Sequence, residues 1–160
     1  MATGIPDGYR LERRPPTVRE LRALNDAVGW TDLPVDDDAV ARGLAASLFG
    51  VVVLTAAGET VACARLIGDG GIYYYIQDLI VHPDHQGRGI GDLLMGEVWR
   101  YLGEHAGRGA FIGLMAAEGR AGFYERWSFA KRPPGSPGMA LGWIPAGPPP
   151  TPGSVAPASE

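Results

Sequence analysis

The residues best suited to chemistry form one glycine-rich segment near the middle of the chain. Segment 86–91 reads Gln-Gly-Arg-Gly-Ile-Gly and precedes apolar residues with helical spacing. Segment 73–81 before it is rich in β-forming residues, and Pro83 ends that strand because proline has no N–H to donate. A strand, a glycine-rich turn and a helix in this order bring free backbone N–H groups to the positive end of a helix dipole. Such a point suits a pyrophosphate.

The spacing excludes two other phosphate loops. The dinucleotide fingerprint requires a third glycine where Asp92 stands, and a nucleotide-triphosphate loop requires a lysine, which this segment lacks. The spacing of Gln86, Gly89 and Gly91 instead resembles the coenzyme A loop of the GCN5-related N-acetyltransferase (GNAT) superfamily. Segments 79–83 (Leu-Ile-Val-His-Pro) and 122–129 (Gly-Phe-Tyr-Glu-Arg-Trp-Ser-Phe) also resemble that family, in the same order along the chain.

This resemblance covers residues 17–143 and implies both fold and function. The expected fold is mixed α/β (α+β), with a mostly antiparallel sheet of about six to seven strands and helices on both faces. The sheet would be splayed at its central strand. The expected function is acetyl-CoA-dependent transfer of an acetyl group to a primary amine of a small molecule, by direct attack of the amine on the thioester. Alternatives are a non-catalytic acyl-CoA-binding or sensor module, or an acetyltransferase acting on a protein N-terminus or lysine.

The resemblance also assigns residues to acetyl-CoA, the expected cosubstrate. Backbone groups of the splayed strand would pair with the pantetheine arm as an added strand does, and one N–H near Leu79 would polarise the thioester carbonyl. The expected coenzyme-binding residues are Leu79, Ile80, Val81, Gln86, Gly87, Arg88, Gly89, Ile90 and Gly91. The family's usual asparagine is replaced by Ala117, which removes one contact to the coenzyme.

Tyr124 is the expected catalytic residue, because it resembles the family's general acid. A positioned phenol can return a proton to the departing thiolate. The alternative is a core tyrosine without a catalytic role.

The group that accepts the amine proton is left open. Tyr75 and Gln77 occupy the family's positions for a base and share one strand face, but neither is a strong base. Asp78 would lie on the opposite face unless a bulge intervenes. Glu118 is a further candidate, and ordered water is another route. Tyr75, Gln77 and Asp78 are therefore predicted as substrate-binding residues on the acceptor side.

Three other groups of residues have competing interpretations. Cys63, the only cysteine, is predicted to be a core thiol rather than a nucleophile. His82 and His85 are predicted to be exposed loop residues that touch phosphate, with no metal bound. The run Asp36 to Asp38 is predicted to cap a helix rather than to recruit a cationic substrate.

The tyrosines 73–75 are the densest aromatic cluster. They either pack in the core or line a pocket for an apolar or aromatic amine, together with Trp30, Phe123, Met139 and Trp143.

Composition limits the class of protein and its partners. A chain of 160 residues suits one acetyltransferase domain, predicted over 1–144, and the Pro/Gly-rich segment 145–160 is predicted to be a disordered tail. A net charge of −4 argues against a nucleic-acid partner. The longest apolar stretch is too short to span a bilayer, so no membrane association and a cytoplasmic location are predicted. Because dimers are frequent in the resembled family, the resemblance also allows a homodimer.

Local signals predict the remaining elements. Thr17 and Glu20 form a capping-box pattern before a first helix, and a second helix carries Val40, Leu44 and Leu48. Strands are expected near Tyr9–Arg13, at 48–55 and 60–67, as a short buried strand at 110–115, from Phe129, and at 139–143. A short helix is expected at 121–126.

Overall fold

The computed structural model of the protein describes residues 4–31 and 34–139. Internal contacts divide the chain into two units, one ending at Met115 and one beginning at Ala116. The first unit contains β1 (Tyr9–Glu12), α1 (Val18–Ala27), α2 (Asp37–Ala45), β2 (Phe49–Thr55), β3 (Thr60–Gly68), β4 (Tyr73–Val81), a 3₁₀ turn (Pro83–His85), α3 (Ile90–His105) and β5 (Phe111–Gly113). The second unit contains α4 (Ala121–Glu125).

The sheet follows the order of the chain, β1-β2-β3-β4-β5. The first four strands are antiparallel neighbours, and β5 runs parallel to β4. The predicted mixed, mostly antiparallel sheet is therefore confirmed. The described part of the chain contains five strands, fewer than expected.

Helices cover both faces of the sheet, as predicted. On one face, Leu24 of α1 and Leu44 of α2 pack in a buried cluster with Val52 of β2 and Cys63 of β3. On the other face, the ring of Phe49 stacks on Tyr101 of α3 at 4.9 Å. Because both faces are covered, β2 is buried along nearly its whole length. Cys63 is fully buried, which confirms the predicted core thiol.

The two N-terminal helices begin where the sequence signals place them. Thr17 and Glu20 form the complete capping box of α1. Asp36 caps α2, since its Oδ1 accepts a hydrogen bond from Ala39 N–H at 2.7 Å. The expectation that Leu48 lies on the second helix is wrong. Its backbone N–H donates to Leu66 O of β3 at 2.9 Å, so the chain has already joined the sheet.

Two predicted strands differ from the structure. β5 has only three residues, and Phe111 is 49% exposed, so it is not the buried strand expected at 110–115. No strand begins at Phe129 within the described residues up to 139. Pro133, Pro134 and Pro137 follow, and each removes a donor that a ladder would require.

Some predictions concern residues that the structure does not describe. Residues 140–143 of the expected last strand and the tail 145–160 lie outside the described residues. The single-domain boundary at 144 stays a prediction. Along residues 4–31 and 34–139, no helix is long and apolar enough to cross a membrane.

Candidate active site

Among the described residues, β4 has a strand on both sides only at its beginning. Its register with β5 covers Tyr73 to Tyr75, whereas its register with β3 continues to Val81. His82 N–H donates to Val61 O of β3 at 2.8 Å. Since backbone groups alternate along a strand, the N–H groups of Leu79 and Val81 point away from β3. No strand of the described chain pairs with that edge, so the sheet is splayed there.

A β-bulge at Asp78 separates the paired part of β4 from the open part. The register with β3 shifts by one residue, so Asp78 and Leu79 together oppose Ala64. Asp78 has a φ of 54°, in the left-handed region that residues with a side chain seldom adopt. The Gln77 amide donates to Asp78 Oδ1 at 3.1 Å. The bulge therefore brings Asp78 beside Gln77, not to the opposite face that simple alternation gives.

The Asp78 carboxylate is already engaged inside the protein. Arg65 Nε lies 2.5 Å from Asp78 Oδ2, and the two side chains are only 15% and 10% exposed. Arg65 was not among the predicted site residues. The available signal was its type, a charged side chain in the otherwise apolar alternation of β3.

The loop after β4 presents backbone donors without acceptors. The N–H groups of residues 87–91 donate to none of the described residues. Gly87 and Gly89 have φ values of 73° and 78°, which glycine adopts without strain. Gly89 is the N-cap of α3 and has no side-chain oxygen to cap these donors. Five successive N–H groups at the positive end of a 16-residue helix are thus left without an acceptor among the described residues, an arrangement that suits an anion.

Three hydrogen bonds support this loop. Gln86 Nε2 donates to Val81 O at 3.0 Å, Arg88 Nη2 donates to Asp84 O at 3.3 Å, and Tyr9 Oη lies 2.8 Å from His85 Nδ1. The Arg88 guanidinium forms no ion pair with any described residue, so its charge is available to an anion.

His82 and His85 also form contacts within this loop. Asp84 N–H donates to His82 Nδ1 at 3.2 Å, and the two imidazole rings meet edge to face at 5.6 Å. The described residues contain no cluster of three side chains that could hold a metal ion.

The three tyrosines of β4 have different surroundings. Tyr74 is buried, and its hydroxyl donates to His105 O at 3.3 Å. Tyr73 is 58% exposed beside Phe111. Tyr75 is half-buried. Burial raises its pKa, although a hydrogen bond from Met115 N–H to its hydroxyl acts in the opposite direction. Tyr75 therefore stays protonated at neutral pH and lies on the same strand face as Gln77.

Tyr124 belongs to the second unit. It lies on α4, and its ring meets Phe123 at 5.1 Å and Phe129 at 6.2 Å, both edge to face. The N–H groups of Trp127 and Phe129 donate to Tyr124 O, which ends the helix. Glu118, the other candidate in this unit, is exposed.

Comparison with known proteins shows the family of the chain. Residues 47–131 match the sequence profile described as an acetyltransferase (GNAT) domain. An uncharacterized N-acetyltransferase of Porphyra purpurea, ycf52, is 28% identical over 142 residues, which cover 88% of this chain and 79% of that protein. The chloroplastic serotonin N-acetyltransferase 2 of Oryza sativa is 33% identical over 136 residues, covering 81% and 66%.

A solved structure has the same fold. The crystal structure of a probable acetyltransferase from meticillin-resistant Staphylococcus aureus superposes with a TM-score of 0.76, at 26% identity, over 84% of this chain and 99% of that one. The fold and the profile define the class as acetyltransferases. The chain belongs to the GNAT family and is an N-acetyltransferase.

Proposed function

We propose that the protein transfers the acetyl group of acetyl-CoA to a primary amine of a small molecule. The observation that carries this proposal is one juxtaposition in the first unit. The unpaired edge of β4 at Leu79–Val81 leads directly into the loop whose N–H groups, 87–91, have no acceptor among the described residues. One surface thus offers strand-type hydrogen bonds next to an anion site.

The open edge of β4 suits the amide-containing arm of the coenzyme. An extended chain with alternating N–H and C=O groups adds to a strand edge by backbone hydrogen bonding. The outward N–H of Leu79 is suited to stabilise the negative charge that develops on a thioester oxygen during attack. Acetyl-CoA supplies an acyl carbon activated by a thiolate leaving group.

The glycine loop suits the pyrophosphate. Gly87, Gly89, Ile90 and Gly91 contribute backbone N–H groups, and the Arg88 side chain contributes a positive charge. Gln86 acts indirectly, because its amide caps Val81 O and fixes the loop against the strand.

The acceptor is proposed to bind on the face that carries Tyr75 and Gln77. The name of the rice relative identifies its substrate as serotonin, a primary alkylamine with an aromatic ring. Exposed apolar side chains at Ile72, Tyr73, Phe111 and Met115 support an aromatic amine for this chain also. Attack requires the neutral amine, and Tyr124 is proposed to return a proton to the thiolate.

An amine panel tests the proposed function. Purified protein is incubated with acetyl-CoA and serotonin, other aryl and alkyl amines, polyamines, or peptides with a free N-terminus or lysine, and the released coenzyme A thiol is measured. We expect aromatic primary amines to give the highest kcat/KM. A preference for peptides would replace the small-molecule acceptor, and no turnover with any amine would contradict the enzyme mechanism.

The pH dependence gives a second readout. Since neither Tyr75 nor Gln77 is a strong base and the Asp78 carboxylate is paired with Arg65, the single-turnover rate should rise with pH as more neutral amine becomes available. A rate that stays flat from about pH 6 to 9 would show that a protein group takes the proton.

A further inference from the structure

Three hydrogen bonds to Asp78 hold the bulge in β4. Arg65 Nε donates to Asp78 Oδ2 at 2.5 Å, and Gln77 Nε2 donates to Asp78 Oδ1 at 3.1 Å. The backbone carbonyl of Asp78 is held as well, since Cys63 Sγ lies 3.2 Å from it. Burial raises the pKa of the Cys63 thiol, so the thiol keeps its proton and donates it to this carbonyl. The side chain and the backbone carbonyl of Asp78 are therefore both held by side chains of β3.

Arg65 also extends beyond β4. Its Nη1 lies 3.3 Å from Ser47 Oγ and 3.4 Å from Gly43 O, at the end of α2. The guanidinium thus connects the bulge to the segment between α2 and β2. With its side chain only 15% exposed, Arg65 has little freedom to move away.

The direction of the Leu79 N–H depends on this bulge. Arg65 opposes Gln77, and a regular strand continuing from that pair would place Leu79 opposite Cys63. That position is taken instead by Ile80, because the bulge adds one residue. Since a one-residue slip reverses every backbone group, a strand without the bulge would turn the Leu79 N–H toward β3 and away from the open edge.

We propose that Arg65 is a positioning residue for acetyl transfer, which holds Asp78 in its left-handed conformation and thereby directs the Leu79 N–H to the coenzyme edge. This rests on the proposed function. Cys63 assists by holding the Asp78 carbonyl. Arg65 and Cys63 contact Asp78 and not the substrate, but they determine which backbone groups of β4 face the coenzyme.

The first test compares substitutions at Asp78. Alanine removes the carboxylate and disfavours a positive φ, whereas glycine removes the carboxylate but adopts that φ readily. We expect Asp78→Ala to weaken acetyl-CoA binding and slow single-turnover acetylation by at least ~5-fold, and Asp78→Gly to recover part of both. At an ordinary strand position glycine is worse than alanine, so rescue by glycine identifies the backbone conformation as the cause. Equal effects of the two substitutions on binding and rate would overturn the proposal.

The second test is a double-mutant cycle. Arg65→Met and Asp78→Ala should each weaken acetyl-CoA binding, and the double variant should be no worse than the poorer single variant, because both remove one brace. Arg65→Lys should retain more affinity for acetyl-CoA than Arg65→Met. If Arg65→Met does not fold, Arg65→Lys replaces it in the cycle. Arg14→Met is the matched control, since it breaks another partly buried ion pair, with Glu20; it should lower stability without changing affinity or rate.

Amide hydrogen exchange provides a readout that is independent of activity. In the wild type, Leu79 N–H should exchange rapidly and Ile80 N–H slowly; in Asp78→Ala this order should be lost or reversed. Unchanged exchange and unchanged affinity in both Arg65→Met and Asp78→Ala would overturn the brace and leave the proposed function intact. Failure of the wild type to bind acetyl-CoA would instead overturn the proposed function. Loss of turnover in Asp78→Ala alone, with Arg65→Met active, would make Asp78 a base and overturn the positioning role.

Discussion

Two glycine-rich turns lie at opposite ends of β4, and they satisfy their backbone donors in different ways. In the turn before β4, Asp69 Oδ1 accepts hydrogen bonds from the N–H groups of Gly71, Ile72 and Tyr73 at 2.9, 2.9 and 3.0 Å. These bonds lower the pKa of Asp69. In the loop after β4, the N–H groups of residues 87–91 have no acceptor among the described residues.

This difference separates a structural turn from the proposed binding site. Both turns use glycines with positive φ, such as Gly70 at 79° and Gly89 at 78°. One turn carries its own carboxylate and is complete without a ligand. The other carries no acidic side chain at Gly87, Arg88 or Gly89 and therefore leaves its donors for an external anion. Glycine content alone therefore does not indicate a phosphate site, and the proposed site rests on the lack of an acceptor among the described residues.

The largest expected effect separates binding from chemistry. Tyr124→Phe keeps the ring and removes the transferable proton, so single-turnover acetylation should fall by at least ~10²-fold. Acetyl-CoA affinity should change little if the loop at 87–91 provides the binding. Wild-type single-turnover rates in the variant would remove Tyr124 from the mechanism, and a loss of melting temperature with an unchanged rate would indicate a core role.

The next effect concerns the donors themselves. Gly89→Asp places a carboxylate at the loop and strains a residue with a φ of 78°, so acetyl-CoA affinity should fall by at least ~10-fold. Gly109→Asp is the matched control, because Gly109 has a φ of 81°, no neighbour within 4 Å of an added Cβ, and a position in the turn before β5. Isothermal titration of both variants measures the difference. Equal affinities would mean that the loop does not bind the coenzyme.

A smaller effect is expected at the turn that is already complete. Asp69→Ala leaves three N–H groups without their acceptor, so the melting temperature should fall by roughly a few degrees, as on loss of a helix cap. Acetyl-CoA affinity should stay at the wild-type value. Weakened acetyl-CoA binding in this variant would contradict the purely structural role of the turn at Asp69.

The smallest effect is a pH dependence at a second internally satisfied carboxylate. Hydrogen bonds from Arg14, followed by smaller ones from Thr17 and Thr60, lower the pKa of Glu20 from 4.5 to about 2. A folded-state pKa below the unfolded value gives stability that is present above about pH 4.5 and is lost as the pH falls toward 2. Between pH 5 and 2.5, the wild type should therefore lose more melting temperature than Glu20→Gln. Parallel losses would exclude this carboxylate as a source of acid sensitivity.

Local signals in the sequence predict much of this arrangement. Some features depend only on residues close in the chain, and the structure contains them as predicted. They are the capping box at Thr17, the cap at Asp36 and the strand that ends before Pro83. The glycine spacing at 86–91 likewise predicts a loop leading into a helix, although the helix begins only at Ile90 because Gly89 adopts a positive φ.

Features that depend on partners distant in the chain are not predictable in the same way. The bulge at Asp78 arises from contacts with Cys63 and Arg65 on another strand, so alternation along β4 left its side-chain direction open. The length of β5 depends on how far it follows β4. The role of Asp69 was missed, although an aspartate followed by two glycines is a local signal for such a turn.

The most direct test is a titration of ¹⁵N-labelled protein with acetyl-CoA, followed by amide chemical shifts. We expect large downfield shifts of the amide protons of residues 87–91 as their N–H groups acquire phosphate acceptors. The amide protons of Gly71, Ile72 and Tyr73, which already donate to Asp69, should shift little. Inorganic pyrophosphate alone should produce the same pattern more weakly. Saturation with acetyl-CoA that leaves the amides at 87–91 unmoved would contradict the assignment of this loop.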